Sequence, residues 1–325
     1  MKLRTELHLT PSSFAITHHT PMVAIGSCFA DCMGERLHEN KFNILSNPFG
    51  TIFNPLAISN LLQKTFHQEN TFHTVQSQGI WQAYECHSEL GNITKEILLE
   101  NLDRQINITH QQLAKAKVLM ITLGTAVVYT EKSLQLSVAN CHKVPAHCFD
   151  KHVLTSDAIV SSLKETFDLL HAHYPELQII LTVSPVRHIK ETIPLNSVSK
   201  SILRIACHAL ESHHHFVHYF PAFELMMDDL RDYRFYKEDL IHPNHLAETY
   251  IWTKFLDSFC NEKTKTIITQ WDKAKKAIQH QPFFPESTAY RQHLVDTIAK
   301  LESLSADIDI NEELAFLQTK LTNTP

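Results

Sequence analysis

The sequence predicts an α/β fold: a three-layer α/β/α sandwich around a mostly parallel sheet, followed by a helical C-terminal extension. Short apolar runs alternate with amphipathic helical patterns from residue 20 to residue 260, which is typical of parallel strands joined by crossover helices. Two of the runs stop at a glycine, where a strand would give way to a loop. The chain has 325 residues and a hydrophobic fraction of 43%, enough to bury a large core.

Apolar runs bounded by turn residues predict the strands. The runs expected to form the sheet lie at 22–26, 42–45, 118–123, 178–183 and 216–220. The alternating pattern at 127–138 predicts a separate hairpin that turns at 131–133.

Helical periodicity predicts the segments between the strands. These segments are 29–40, 56–66, one that begins at 156, 197–212 and 245–259. Ser156 is the expected N-cap of the third of them. In the fourth, Val198, Ile202, Ile205 and Ala209 align and predict the face that packs on the sheet.

Two domains are expected. Residues 1–260 would form the α/β domain, with an insertion at about 67–117 that ends in a helical stretch at 94–117. Residues 261–325 would form the helical extension, broken by the prolines at 282–285.

Composition excludes several classes of function. The chain has only six glycines and neither of the two glycine-rich nucleotide motifs, so we expect no cofactor. A net charge of -6 without a basic patch argues against nucleic-acid binding. No run of 18 apolar residues predicts a membrane span, and the polar first 13 residues lack the apolar core of a signal peptide. Seven scattered cysteines favour a reduced, cytoplasmic protein; the oligomeric state stays open.

Two short motifs could carry chemistry. Ser27 and Cys28 follow Gly26 between a strand and a helix, where a helix N-terminus would lower the pKa of a thiol. Asp239 lies three residues before His242, close enough to bind the imidazole Nδ1–H and leave Nε2 as a base. Because carboxyl ends of parallel strands share one edge, we expect both motifs at the same rim, with Gly124.

These residues resemble a known family. Gly26-Ser27-Cys28-Phe29-Ala30 spells the motif that names the GSCFA-domain family, which belongs to the SGNH (GDSL-type) hydrolase superfamily. Similar blocks lie at 47–55, 123–126, 140–145, 184–188 and 231–236, followed by Asp239 and His242. The resemblance covers residues 20–260 and implies a flavodoxin-like sheet and a hydrolase site, but no particular substrate.

The resemblance assigns roles to individual residues. SGNH hydrolases carry Gly-Asp-Ser with serine as nucleophile, and Cys28 falls on that serine when counted from Gly26. A related family of capsule-polysaccharide acetyltransferases has a similar Gly-Asn-Cys. Cys28 is therefore the implied nucleophile and Ser27 the alternative, with His242 as base and Asp239 as its partner.

The oxyanion hole implied by the resemblance is incomplete. Backbone N–H groups of Gly50 and Cys28 would be two donors. The third donor of SGNH enzymes is an asparagine in Gly-x-Asn-Asp, and here Ala126 stands at that place after Gly124. Losing such a donor typically costs about 10²–10³ in rate, so the hole is either weakened or completed by another group.

Four further side chains are candidates for the site. Thr125, Asn54 or His142 could replace the missing donor. Arg187 could contact an anionic group of the substrate, although a structural salt bridge is the favoured interpretation. The cysteine–histidine pairs at 141–142 and 147–148 fit zinc spacing poorly, so we predict no metal.

The sequence thus predicts a hydrolase, an esterase or deacetylase, that cleaves a small acyl ester, with O-acetyl groups on a glycan among the candidates. Two alternatives stay open. One is an acyltransferase that uses the same nucleophile and an acyl-CoA donor. The other is a non-catalytic binding protein that retains the fold.

Overall fold

The computed structural model describes residues 4–322, which group into two compact units. The first unit contains residues 4–8, 21–35 and 44–254. The second contains residues 9–20, 36–43 and 255–322. The sequence-based division near residue 260 therefore omits two N-terminal segments that group with the C-terminal helices.

Strands occupy the positions that apolar runs predict, and three further strands, at 74–77, 80–83 and 149–153, lie where those runs did not predict them. They are β1 (Met22–Gly26), β2 (Ile44–Ser46), β3 (Thr74–Ser77), β4 (Ile80–Ala83), β5 (Val118–Leu123), β6 (Val127–Glu131), β7 (Leu136–Val138), β8 (Phe149–Val153), β9 (Gln178–Val183) and β10 (Val217–Tyr219). The central sheet has the order β10-β9-β5-β1-β2, and all its pairings are parallel. The strand order reverses between β1 and β5, which is where ligands bind in such sheets.

Helices flank this sheet, so the predicted α/β/α class is confirmed. They are α1 (Cys28–Glu39), α2 (Pro55–His67), α3 (Lys95–Leu113), α4 (Ser156–His173), α5 (Ile193–His213), the short α6 (Ala222–Glu224), α7 (His245–Phe259), α8 (Glu262–Ile278), α9 (Thr288–Glu302) and α10 (Asn311–Thr322). The core of the first unit is formed by apolar side chains of β1, β5 and β9 with those of α2–α5.

Two helical details differ from the sequence predictions. The N-cap of α4 is Thr155, whose hydroxyl accepts the Ala158 N–H at 3.2 Å, and Ser156 is already helical. The predicted inner face of α5 is wrong, because Val198 and Ile205 are 49% and 58% exposed. The buried face of α5 is instead partly polar; it comprises Asn196, Ser199, Lys200, Leu203, Ala206, Cys207 and Leu210.

The segments outside the central sheet form two small antiparallel sheets. β6 and β7 make the predicted hairpin, and β8 adds a third strand that the sequence patterns did not indicate. Residues 67–117 contain the hairpin β3–β4 and helix α3. The inner face of α3 is fully buried at Leu98 and Leu102, so its helix belongs to the core.

The second unit has its own apolar core, built by α8–α10. Ile16 pairs with Cys260 in a parallel bridge, and the Trp271 indole N–H donates to the Glu39 carbonyl oxygen at 2.8 Å. Within residues 4–322, no helix is both long and apolar enough to cross a membrane.

Candidate active site

The turn from β1 into α1 requires glycine at its first position. Gly26 has φ +149°, and a Cβ there would overlap the Thr122 carbonyl oxygen of the neighbouring strand β5. Its N–H donates to the Asn47 side-chain oxygen at 2.8 Å, and the next N–H, of Ser27, donates to the Thr122 oxygen at 3.0 Å. These contacts fix the residue that follows, Cys28, at the end of β1.

Ser27 and Cys28 have different environments. Ser27 is fully buried, and its Oγ accepts the Phe29 N–H at 3.4 Å, as an N-cap of α1 does. Cys28 is partly exposed, and the backbone N–H groups of Cys28 and Phe29 lie near its thiol and favour its charged form. A nucleophile must be both reachable and able to leave its hydrogen bonds, and Cys28 meets these conditions better than Ser27.

Opposing effects act on the pKa of the Cys28 thiol. Burial raises it most, and the Asp31 carboxylate raises it further. The charge of Lys200 and the two backbone N–H groups lower it, and the net result is a raised pKa. To react at neutral pH, the thiol therefore needs a base that removes its proton, or a stronger electrostatic effect of the Lys200 charge.

His242 and Asp239 form a direct pair on the loop before α7. The Asp239 Oδ2 lies 2.7 Å from His242 Nδ1, and its Oδ1 accepts the N–H groups of Ile241 and His242 at 2.9 and 3.0 Å. These backbone bonds first, and then the imidazole, lower the pKa of Asp239 to about 2. The carboxylate is therefore charged at neutral pH, and His242 Nε2 has no hydrogen-bond partner among the described residues.

The loop after β2 is fastened to α1 by a short polar network. Asn47, which also binds Gly26, donates from Nδ2 to Asp31 at 2.6 Å, and the Thr51 hydroxyl donates to Asp31 at 3.0 Å. Within this loop the Gly50 N–H donates to the Asn47 carbonyl oxygen at 2.8 Å. That bond must break or be shared for Gly50 to hold an oxyanion. The Thr51 N–H donates to no acceptor in the part of the chain that is described.

The loop after β5 leaves no free side-chain donor at the place of the missing asparagine. Ala126 is fully buried, and its N–H donates to Ser199 Oγ at 2.8 Å. Thr125 Oγ1 accepts the Val127 N–H at 3.0 Å and lies 3.1 Å from the Ser199 hydroxyl. The Gly124 carbonyl oxygen accepts a bond from Lys200. Thr125 is thus already committed within its own loop.

Asn54 and His142 are also committed to structural bonds. Asn54 caps α2 by accepting the Ala57 N–H at 2.8 Å, and its amide donates to the Val138 oxygen at 3.1 Å. His142 is 2% exposed; Nε2 lies 2.7 Å from the Ala83 oxygen and Nδ1 lies 3.0 Å from Ser88 Oγ. His142 cannot donate to a substrate without losing one of these bonds, whereas the Asn54 amide uses only one of its two N–H donors among the described residues.

Arg187 has no carboxylate partner among residues 4–322, so the favoured salt bridge is not found. Its guanidinium lies over the rings of Tyr236 and Tyr233, 4.8 and 5.5 Å from their centroids. The only side-chain bonds in its described surroundings are long, 3.4 Å to the Tyr233 hydroxyl and 4.0 Å to Met227 Sδ. Arg187 thus joins the loop after β9 to the loop that carries Asp239 and His242.

A cavity of about 280 Å³ lies next to these loops, although neither Cys28 nor His242 lines it. His188 lies on its wall, with the ring edge-on to Phe53 at 5.2 Å and with a buried Nε2 that has no partner in the described structure. Burial, and then the charge of Lys200, lower the pKa of His188 to about 4, so the ring is neutral at pH 7. The walls are mostly apolar and otherwise include Asn54, Thr125, Val127, Tyr129, Val138, Ala139, Asn140, Cys141, Lys190, Glu191, Leu195, Asn196 and Ser199.

Sequence patterns did not indicate four residues of this region. Ser199 and Lys200 lie on the buried face of α5, which the apolar pattern did not indicate. Asp31 lies on α1 among polar residues that are typical of an exposed surface. Asn47 lies within a block that resembles the family but carried no assigned role. A lysine flanked by serines on an otherwise apolar helix is the one available signal, and it is weak.

The fold and these residues define a parallel α/β/α protein with a thiol at the start of α1, just after β1, and an acid–histidine pair on the loop before α7. The chain belongs to the GSCFA family, whose model matches residues 21–255. A second model, described as the C-terminal domain of GSCFA domain proteins, matches residues 271–323.

Comparisons with individual proteins add little to this assignment. A search of the curated proteins found no match. Among solved structures, a chain from Streptococcus pneumonia that carries the name of a platelet activating factor is 13% identical, with a TM-score of 0.39. The match covers 73% of this chain and 84% of that one.

Proposed function

We propose that this protein is a hydrolase of the SGNH type that cleaves a small acyl ester through Cys28, His242 and Asp239. The observation that carries the proposal is the Asp239–His242 pair, with a 2.7 Å bond at Nδ1 and with an Nε2 that has no partner among residues 4–322. A partly exposed thiol at the N-terminus of α1 supplies the nucleophile. Nucleophilic acyl transfer uses a nucleophile, a base and a group that orients the base, and these three residues can supply those roles.

In the first half of the reaction, His242 Nε2 takes the proton of the Cys28 thiol. The sulfur attacks the carbonyl carbon of the ester, and the carbonyl electron pair moves to the oxygen to give a tetrahedral oxyanion. When this oxyanion reforms the carbonyl, the C–O bond to the alcohol breaks and His242 returns the proton to the alcohol. The product on the protein is a thioester at Cys28.

In the second half, water attacks the thioester while His242 accepts its proton. The tetrahedral species collapses, the bond between its carbon and the Cys28 sulfur breaks, the acid leaves, and the Cys28 thiolate regains its proton from His242. Asp239 stays ionised throughout, because its pKa of about 2 lies far below the working pH, and it stabilises the imidazolium.

The oxyanion would be held by backbone groups. The N-terminus of α1 offers the Cys28 N–H, and the loop after β2 offers the N–H groups of Gly50 and Thr51. Of these two loop donors, the Gly50 N–H already donates to the Asn47 carbonyl oxygen, whereas the Thr51 N–H has no acceptor among the described residues. This arrangement explains how the site could work with alanine at position 126.

An ester assay on variants tests the proposal. Cys28→Ala and His242→Ala should each lower kcat/KM for an acetyl ester by at least about 10³-fold, because each removes a group that acts in the bond-making step. Asp239→Asn should lower it by about 10²–10⁴-fold through the wrong imidazole tautomer.

Ser27→Ala is the matched control at the neighbouring position. It removes an N-cap bond, which costs about 1 kcal/mol of stability, and should leave the turnover of the folded protein largely intact. Full activity of Cys28→Ala would exclude the cysteine, and loss in Ser27→Ala alone would assign the role to the serine. Absence of turnover in the wild type with every acyl ester tried would instead favour a binding protein.

A further inference from the structure

Lys200 is a buried cation without an acidic partner. It lies on α5 with 1% of its surface exposed, and its Nζ donates to the carbonyl oxygens of Gly124 and Ser184, both at 2.8 Å. An ammonium group has three N–H donors, so two bonds leave one unused. No carboxylate pairs with Lys200 anywhere in residues 4–322.

The sheet places this ammonium beside the candidate nucleophile. Gly124 and Ser184 follow directly after β5 and β9, so Nζ lies at the carboxyl ends of these two strands. β1 is the neighbour of β5 on the other side, and Cys28 begins the helix after β1. Adjacent strands are about 4.8 Å apart, and Nζ lies between the ends of β5 and β9, so about one and a half strand spacings, roughly 7 Å, separate it from the end of β1.

The two groups influence each other electrostatically. The Lys200 charge lowers the pKa of the Cys28 thiol, and the Cys28 charge raises the pKa of Lys200. The other groups that face the pair are Asp31 on α1, which raises the thiol pKa, and His188, whose own pKa is lowered by Lys200. The centroid of the Phe223 ring also lies 5.9 Å from Nζ.

Burial acts against the charged form of each group when it is alone. It lowers the pKa of Lys200 to about 7 and raises that of Cys28. A buried charge without a partner is unfavourable, whereas two opposite charges that approach each other offset part of the desolvation. A thiolate at Cys28 is the counter-charge that Lys200 lacks in the described structure.

We propose that Lys200 is a positioning residue of the active site, whose buried ammonium group stabilises the Cys28 thiolate that forms when the thiol loses its proton. In this pair the Cys28 proton has left through His242 or solvent, and Lys200 keeps its own. The role rests on the proposed function, in which Cys28 is the nucleophile. It differs from a purely structural role, in which Lys200 only fastens the ends of β5 and β9.

The test measures thiol reactivity and needs no ester. The rate of iodoacetamide addition at Cys28 is followed by mass spectrometry between pH 5 and pH 10, using the full chain in a Cys32→Ser background. Lys200→Met should slow the reaction at pH 7 by at least about tenfold and move the profile up by at least about one pH unit, since the rate follows the thiolate fraction. Lys200→Arg should restore much of the rate.

Lys64→Met is the matched control. Lys64 is also a buried lysine of the first unit, but it pairs with Glu69 and lies outside the candidate site. This variant should leave the Cys28 profile unchanged. A folded Lys200→Met protein with the wild-type profile would overturn the proposal.

A second measurement covers the case in which Lys200→Met does not fold. The Lys200 side chain is titrated by NMR in the wild type and in Cys28→Ser. Loss of the thiolate should lower the pKa of Lys200 by at least about one unit, and an unchanged titration would contradict the pair. If esters are not cleaved but both profiles shift, the pair stands and the proposed hydrolase activity fails.

Discussion

Ser27 and Cys28 are adjacent residues with different contacts, and the proposed function assigns the chemical role to Cys28. Counting from a family motif favours Cys28 but leaves Ser27 as an alternative, because both have nucleophilic side chains. The structure distinguishes them by their contacts: the serine hydroxyl caps α1 while fully buried, and the cysteine thiol is partly exposed beside two backbone N–H groups. Which residue reacts depends on this geometry rather than on residue type.

Gly50 lies on the loop after β2, which offers two of the proposed oxyanion donors, and its substitution should disturb this loop most. It has φ +71°, and a Cβ there would overlap the Glu89 carboxylate and the His87 Cβ. Gly50→Ala should destabilise the protein by about 2 kcal/mol or more, from backbone strain of about 1–2 kcal/mol plus the overlap, and should lower ester turnover. The free energy of unfolding in urea measures the first effect.

Gly79→Ala is the matched control for that prediction. Gly79 has a similar φ of +80°, but no atom of the described residues lies within 4 Å of the position of its Cβ. It should cost only the backbone strain, about 1–2 kcal/mol, and leave turnover unchanged. An equal loss of stability in the two variants would show that the contacts with His87 and Glu89 have no effect.

Helix α5 is the element whose sequence pattern was most misleading. Val198 and Ile205 align as an apolar face but are exposed, while Ser199 and Lys200 point inward to the loop after β5. The periodicity of apolar residues cannot reveal this, because the inner face of α5 binds backbone groups as well as apolar side chains. Departures from local pattern are expected near functional sites.

The cavity walled by β6, β7 and the start of α5 should bind the acyl group. Its volume of about 280 Å³ equals roughly nine waters at about 30 Å³ each, which is more than an acetyl group fills. We therefore expect kcat/KM for a butanoyl ester to equal or exceed that for an acetyl ester. Ala139→Trp, which fills the cavity, should reverse this preference.

Ala114→Trp serves as the control, because Ala114 is exposed at the end of α3 and does not line the cavity. It should keep the wild-type preference across acetyl, butanoyl and octanoyl esters. If Ala139→Trp lowers all three rates by the same factor, the cavity does not hold the acyl group.

For the whole molecule, the sequence predicts the sheet well and the contacts of the site less well. Apolar runs of five or six residues at β1, β5 and β9 are unambiguous, because fully buried parallel strands need them. The spacing of Asp239 and His242 also predicts their hydrogen bond. In contrast, Lys200 reaches the rim from α5 through tertiary packing, which has no local signal. The grouping of residues 9–20 and 36–43 with the C-terminal helices is likewise non-local.

Stability should fall with acid because of a buried histidine in the second unit. His18 is 5% exposed and stacks on Phe42 at 4.4 Å, and burial lowers its pKa to about 4. The folded state therefore disfavours protonation of His18. This histidine costs no stability above about pH 6.5, and the free energy of unfolding declines as the pH falls from there towards 4. His18 alone should cost on the order of 1–2 kcal/mol between pH 7 and pH 5.

Urea unfolding at pH 7 and pH 5 measures this loss. His18→Phe keeps the stack on Phe42 without a titrating group and should reduce the pH dependence. His19→Phe changes the exposed neighbour and should not. An unchanged pH dependence in His18→Phe would refute the role of this histidine.

In the proposed reaction, Cys28 forms a covalent acyl intermediate with the help of His242. The most direct test of this step is mass spectrometry of the full-length protein, quenched in acid during turnover of an acetyl ester and digested to locate the adduct. We predict an acetyl thioester on Cys28 that hydroxylamine removes, present in the wild type and greatly reduced in His242→Ala. Turnover without an adduct at Cys28, or with the acetyl group on Ser27, would contradict the account.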